Sequence, residues 1–315
     1  MAGFLAGATL TAASSRGGTV IVDHDGAIDD YVALLMVLRS TERRLAGVTI
    51  SFGNSHREEA REATERILAA YDRAVPVGVH ADNLRGKNQF PPEWRRSANG
   101  VQQLFGRPAR PLASADATDL LRRLLSSAGP GGVEVLATGP LSNLAAAVRG
   151  RETLIRRMNR LVVMGGAVGV PGNAPGGVAE YNFHVDPEAA DYVCSLARRG
   201  LRIELVPLDA TNHLPIGRPF VERLLSLPEG PGRQAGQLLS LAKTALDPGE
   251  AYYLWDAAAA LVLLRSDLFT YETLHLKVTP EGGTVVARDG RGPIRVAMRP
   301  RSGVRAVEEV VTLLK

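Results

Sequence analysis

Six short runs that are apolar at nearly every position, separated by stretches with helical spacing, constrain the fold of this chain most. Thr19–Val22, Ala46–Phe52, Val75–Val79, Val133–Ala137, Leu161–Met164 and Leu201–Pro207 do not alternate in and out, so they read as strands covered on both faces. Between them Tyr31–Leu38, Arg57–Tyr71, Ala115–Ser127, Leu144–Arg149 and Pro187–Arg199 carry helical patterns. This alternation predicts an α/β fold: a single domain with a largely parallel, open, Rossmann-like central sheet flanked by helices through right-handed crossovers. In such sheets ligands bind beyond the carboxyl ends of the strands. Farther along, Phe220–Leu227, Gln234–Leu246 and Ala257–Leu264 read as helices, Leu274–Met298 as a β-meander with Gly-rich turns at Glu281-Gly282-Gly283 and Asp289-Gly290, and Val304–Leu314 as a closing amphipathic helix.

A chain of 315 residues has room for one large or two ordinary domains. With no internal repeat and no long linker, one folded domain is expected over residues 19–315. Residues 1–18 are expected to be a disordered tail or a leader remnant: 2–13 are small and apolar and end near Ser14-Ser15, but no Lys or Arg precedes them. No window reaches the roughly 18 apolar residues of a membrane span, so a soluble, cytoplasmic protein without membrane contact is expected. The one cysteine, Cys194, allows neither an intramolecular disulfide nor a multi-thiolate zinc site. The net charge of +4 is spread over scattered Arg pairs such as Arg43-Arg44, Arg95-Arg96 and Arg198-Arg199. That pattern gives no nucleic-acid footprint.

The segment Asp23-His24-Asp25-Gly26-Ala27-Ile28-Asp29-Asp30 places four aspartates in eight positions directly after a strand. Carboxylates this close raise one another's pKa unless donors or a cation compensate, and a hard divalent cation is the economical partner. Helix capping explains Asp29 and Asp30 but not Asp23 and Asp25 at the strand end. An Asp-x-Asp after a first strand also opens haloacid-dehalogenase-type phosphohydrolases. Here position 27 is Ala, where Thr or Val is expected, and no suitably placed Lys followed by a late acidic pair is evident. Asp186-Pro187 reads as a helix start, with an N-cap carboxylate and Pro in the first turn. His24 reads as structural.

The cluster resembles the amino-terminal signature of the calcium-dependent nucleoside hydrolases, which cleave the N-glycosidic bond of ribonucleosides. Further family-like segments follow in order: Phe52-Gly53-Asn54, Ala137-Thr138-Gly139-Pro140-Leu141-Ser142-Asn143, Met164-Gly165-Gly166, Gly172-Asn173 and Ala179-Glu180-Tyr181-Asn182, leading to Asp186-Pro187-Glu188. The resemblance spans roughly residues 19–266 and implies that the domain at 19–315 is catalytic. It implies that Ca2+ is held by Asp25, Asp30, Asp256 and the main-chain carbonyl of Thr138, with Asp25 as general base toward a calcium-bound water. By the same resemblance Asp29 and Asn182 hold ribose hydroxyls, Asn173 and Glu180 engage the 5′-hydroxyl, and Asn54 and Met164 belong to the substrate site. Turn chemistry also explains Asn173 and Asn182, and core packing also explains Met164.

In place of the His that precedes the late metal Asp in the nonspecific and pyrimidine-preferring branches, this chain has Trp255-Asp256. With Trp94 from the Phe90-Pro91-Pro92-Glu93-Trp94 loop, this resembles the purine-preferring branch, in which two aromatic rings stack on the base. Core packing before a buried helix is the other reading of Trp255. Ala27 stands where that branch has an Asn, and Phe52-Gly53-Asn54 resembles the other branches. The expected partner is a small-molecule nucleoside, with purine salvage as the setting and a homo-oligomer, dimer or tetramer, as the assembly. A noncatalytic nucleoside- or sugar-binding member is the alternative from another class.

Overall fold

In a computed structural model of the protein, residues 18–83, 86–107, 114–129, 132–242, 252–287 and 292–315 are described. Apart from Gly18, the expected tail or leader lies outside these residues, as does the end of the helix expected over Gln234–Leu246. Strands β1 (Gly18–His24), β2 (Arg43–Ile50), β3 (Val77–Val79), β4 (Ser114–Asp116), β5 (Val133–Ala137), β6 (Met158–Met164) and β7 (Ile203–Val206) are followed by β8 (Pro215–Ile216), β9 (Tyr252–Tyr253), β10 (Phe269–Leu274), β11 (Leu276–Val278), β12 (Thr284–Val286) and β13 (Ile294–Pro300). The helices are α1 (Ile28–Arg39), α2 (Arg57–Ala70), α3 (Pro92–Ala98), α4 (Ala117–Ser126), α5 (Ser142–Val148), α6 (Tyr181–Val185), α7 (Pro187–Ser195), α8 (Leu208–Thr211), α9 (Arg218–Leu225), α10 (Pro231–Leu239), α11 (Trp255–Leu264) and α12 (Gly303–Leu314).

Among the described residues nine strands form one sheet in the order β10-β13-β7-β6-β5-β1-β2-β3-β4, parallel throughout except that β10 runs against β13. The chain leaves β1 toward β2, β3 and β4, then returns to β5 on the other side and continues to β6 and β7. The β1/β5 boundary is therefore the switch point, where two loops part and leave a crevice. Alternate residues of β1 serve opposite cores: Val20 and Val22 pack with α1, α10, α11 and α12, whereas Ile21 packs with α4, α5 and α7. Both faces are covered, which is why the strands read as unbroken apolar runs.

Three local departures from the sequence reading have physical causes. The helix expected to begin at Ala115 begins at Ala117, because Asp116 caps it by accepting the Asp119 N–H at 3.0 Å, leaving Ser114–Asp116 to pair with β3. The helix expected over Pro187–Arg199 keeps its predicted start, with Asp186 Oδ1 accepting the Ala189 N–H at 3.0 Å, but tightens to a 3-10 turn over Leu196–Arg199. The C-terminal strands do not form one meander. β11 and β12 pair as a separate hairpin, while β10 and β13 extend the main sheet.

At the amino end of the sheet a row of alternating charges crosses the strands. Arg43 pairs with Glu134, which pairs with Arg160 at 2.7 Å; Arg160 meets Glu204 at 3.3 Å, and Glu204 meets Arg295 at 2.8 Å. Arg160 also donates to the carbonyls of Val262 and Leu263, at 3.5 and 2.7 Å, in the last turn of α11. The first turn of α11 carries Trp255 and Asp256. Its middle is Ala257–Ala260, each fully buried, so α11 lies close against α1 and β6.

Candidate active site

The four clustered aspartates divide their work by strand and helix geometry. Asp23 lies on the Ile21 side of β1, fully buried, and its Oδ1 accepts from Thr49 Oγ1 at 2.6 Å and Asn143 Nδ2 at 3.0 Å. It ties β2 and α5 to β1 and does not line the crevice. Asp25, just past the strand end, does. Its Oδ2 accepts the Asn54 N–H at 2.9 Å. Gly53 and Gly139 press on it so closely that a Cβ at Gly53 would lie 2.0 Å from Asp25 Oδ2, and one at Gly139 would lie 2.8 Å from Asp25 Cβ. Glycine is required at both by close approach.

Asp29 and Asp30 open α1. Asp30 Oδ2 accepts the Ala27 N–H at 2.8 Å and the Asp25 N–H at 3.2 Å, and Oδ1 accepts the Thr138 hydroxyl at 2.5 Å. Asp29 Oδ1 accepts from Tyr252 Oη at 3.2 Å. His24 is structural: Nδ1 accepts the Gly26 N–H at 3.1 Å and Nε2 lies 3.1 Å from Thr64 Oγ1. Burial holds its pKa below the usual imidazole value.

These groups floor a cavity of 790 Å³ at the carboxyl ends of β1, β2, β5 and β6. Of the residues expected in the site, Asp25, Asp29, Asn54, Trp94, Thr138, Met164, Asn173, Glu180, Asn182, Trp255 and Asp256 line it. Asp30 stands behind them, 1% exposed. The Asn182 amide is oriented by its Nδ2, which donates to the carbonyls of Thr138 at 2.9 Å and Met164 at 3.3 Å. Asn173 Oδ1 accepts the Tyr181 N–H at 3.0 Å, so the turn role and the cavity position coexist. Met164 is both core and wall.

Two aromatic groups face the cavity. Trp94, 41% exposed, lies 4.7 Å from Tyr181 and 6.1 Å from Phe90, and Phe90 stacks on Tyr181 at 5.0 Å. Trp255 packs edge-on to Tyr252 at 4.9 Å. Sequence reading singled out neither Phe90, Glu93, Arg96, Tyr181 nor Tyr252 as site residues. All but Tyr252 sit beside motifs that were recognised, whereas nothing in the sequence marks Tyr252.

The carboxyls are electrostatically strained. Burial, then Asp30, pushes Asp25 well above the ordinary carboxylate range, partly offset by the Asn54 N–H. Burial and Asp30 push Asp29 up to about 7, and burial followed by Asp29 raises Asp256. The Asp30 carboxyl adds to the rise at both Asp25 and Asp29, and the Asp29 carboxyl adds to the rise at Asp256. Opposed carboxyls stay this close only when protonated or neutralised by a cation.

Burial also pushes Glu180 up to about 7, against three backbone N–H groups, of Asn182, Gly166 and Phe183, that favour its ionised form. A folded-state pKa raised above the unfolded value contributes stability that is full at low pH and lost as pH climbs toward 7. Glu180→Gln should therefore gain about 3 kcal/mol relative to the unaltered protein between pH 4 and pH 8. Denaturant titrations of both proteins across that range check this; a pH-independent difference contradicts it.

A family model described as inosine-uridine preferring nucleoside hydrolase matches residues 20–311. The chain belongs to this family. It is an enzyme that hydrolyses the N-glycosidic bond of ribonucleosides. Among curated relatives of this nucleoside hydrolase, a probable uridine nucleosidase 2 of Oryza sativa subsp. japonica is 31% identical over 84% of this chain and 79% of its own length. Uridine nucleosidase 1 of Arabidopsis thaliana is 29% identical over the same shares. The inosine-uridine preferring nucleoside hydrolase from Bacillus anthracis superposes with a TM-score of 0.82 at 27% identity, covering 94% of this chain and 98% of that one.

The family is metal-dependent, and the residues present fit a cation. The donors at the cavity floor are all oxygen: the carboxylates of Asp25, Asp29 and Asp256 and the Thr138 carbonyl, which already accepts from Asn182 with one lone pair to spare. Among the described residues no three His, Cys, Asp or Glu side chains form a ready-made ligand group. Part of the expected set is main-chain, and Asp30 is turned onto backbone N–H groups and the Thr138 hydroxyl. Among the described residues no helix is long and apolar enough to cross a membrane.

Proposed function

We propose that this nucleoside hydrolase prefers purine ribonucleosides and works with a bound calcium ion held by Asp25, Asp30, Asp256 and the Thr138 carbonyl, residues 19–315 forming its catalytic domain. The observation that carries the purine preference is that Trp94 and Trp255, from opposite parts of the chain, line one cavity above the carboxylates. Two indoles in one cavity suit a bicyclic base, whose face offers more stacking area than a pyrimidine. The names of the plant relatives favour uridine as the competing substrate.

When bound, the cation supplies Lewis acidity, which acidifies a water and orients the ribose diol. The chain's own groups do the rest. Asp25 Oδ2 is engaged by the Asn54 N–H, leaving Oδ1 to take the proton of the attacking water. Asn182, with Nδ2 fixed by two carbonyls, offers Oδ1 to a ribose hydroxyl, and Asp29 accepts from another. Asn173 and Glu180 bound the 5′ side of the sugar. As the C1′–N bond breaks, the ring gains the positive charge of an oxocarbenium ion, and the carboxylate floor lies beneath it.

Release of ribose from inosine, adenosine, guanosine, uridine and cytidine, with and without chelator and after readdition of Ca2+ or Mg2+, tests the reading. Faster cleavage of purine nucleosides, lost on chelation and restored best by Ca2+, is expected. Uridine as the best substrate overturns the purine preference, and full turnover in chelator overturns the cation.

A further inference from the structure

We infer that Glu93 and Arg96 read the rim of the departing base and select 6-oxopurines, guanosine and inosine, over adenosine; this rests on the purine reading above. Both residues lie on α3, three apart and therefore on one face of the helix, and both line the cavity. Trp94 lies between them in sequence and against Tyr181 in space. A base whose face rests on that aromatic wall turns its rim toward these two charged side chains. The Arg96 side chain is exposed, and among the described residues its guanidinium makes no hydrogen bond or ion pair. It can therefore meet a substrate without giving up a partner.

The hydrogen-bonding chemistry of the pair is directional. A guanidinium has only donors, in a planar fork that matches O6 and N7 of a 6-oxopurine, both acceptors. A carboxylate has only acceptors, and the neighbouring N1–H of hypoxanthine, or the N1–H and amino group of guanine, are donors. Adenine inverts the code at both positions: its C6 amino group would face the Arg96 donors, and its unprotonated N1 would face the Glu93 carboxylate. Charge adds to this discrimination. The electron pair of the C1′–N9 bond leaves with the base, so negative charge grows on the ring that Arg96 contacts, and the contact strengthens in the transition state.

The test is kcat/KM for guanosine, inosine and adenosine, by ribose release, in the unaltered enzyme, Arg96→Met and Glu93→Gln. The unaltered enzyme should favour the two 6-oxopurines, and Arg96→Met should lower the guanosine-to-adenosine ratio about 30-fold. Glu93→Gln, which keeps one carbonyl acceptor, should lower it by less. A ratio unchanged in both variants overturns the inference. So does an equal fall for both substrates, which marks residues that merely hold α3. An unaltered enzyme that cleaves uridine and spares all three purine nucleosides instead overturns the purine reading itself, before any variant is made.

Discussion

Asp25→Asn should lower turnover of the best nucleoside about a thousandfold, the range in which a positioned base contributes. The exchange is nearly isosteric. An Asn oxygen can still accept the Asn54 N–H that holds the unaltered side chain at 2.9 Å, so the fold has no reason to shift. The variant loses both the proton acceptor and one negative charge from a buried cluster whose carboxyls raise one another's pKa. Without divalent cation its thermal midpoint should therefore equal or exceed that of the unaltered protein, and added Ca2+ should stabilise it less. Steady-state ribose release and thermal scans with and without Ca2+ measure both. Turnover within tenfold of the unaltered enzyme would remove Asp25 from the role of base.

Gly53→Ala should be nearly as damaging although it removes no functional group. Its Cβ would stand 2.0 Å from Asp25 Oδ2 and 2.5 Å from Asp25 Cβ, distances no relaxed structure tolerates. Either Asp25 or the Phe52–Asn54 turn must move by roughly 1 Å. A shift of that size in a reacting group costs about a hundredfold in rate, and the overpacking costs about 1–3 kcal/mol. A loss of kcat without a matching rise in KM is expected, because the displaced side chain carries the proton acceptor. A variant with unaltered kcat would mean that the turn yields freely and that its glycine is not there to seat Asp25.

The sheet was legible because β1, β5 and β6 are buried on both faces and so apolar at successive positions. The edge strand β4 was not, because Ser114-Ala115-Asp116 lacks apolar character and is held by pairing to β3. β8 and β9, two residues each, are likewise set by backbone pairing with no periodic signal. In the site, the first-strand aspartates and Trp94 and Trp255 could be named from motifs, and ten residues of that reading join Asp25 around one cavity. What the motifs could not convey is how the aspartates divide. Asp23 braces β2 and α5, a role created by Thr49 and Asn143 arriving from distant segments. Tyr252 escaped notice because its hydrogen bond to Asp29 joins residues far apart in the chain.

The run Ala257–Ala260 in α11 acts as a gauge block. Methyl groups are the smallest side chains that still make a helix, and four in a row, fully buried, let α11 lie close against its neighbours, α1 among them. Asp29 and Asp256 ride on the first turns of those two helices, and Arg160 pins the far end of α11 to the sheet. The gap between the two carboxylates is thus set by the close packing of two helices rather than by long, adjustable side chains between them. A spacing set in this way changes only if the two helices move on the sheet, so the short helix α3 that bears Trp94 can vary around a centre whose dimensions stay constant.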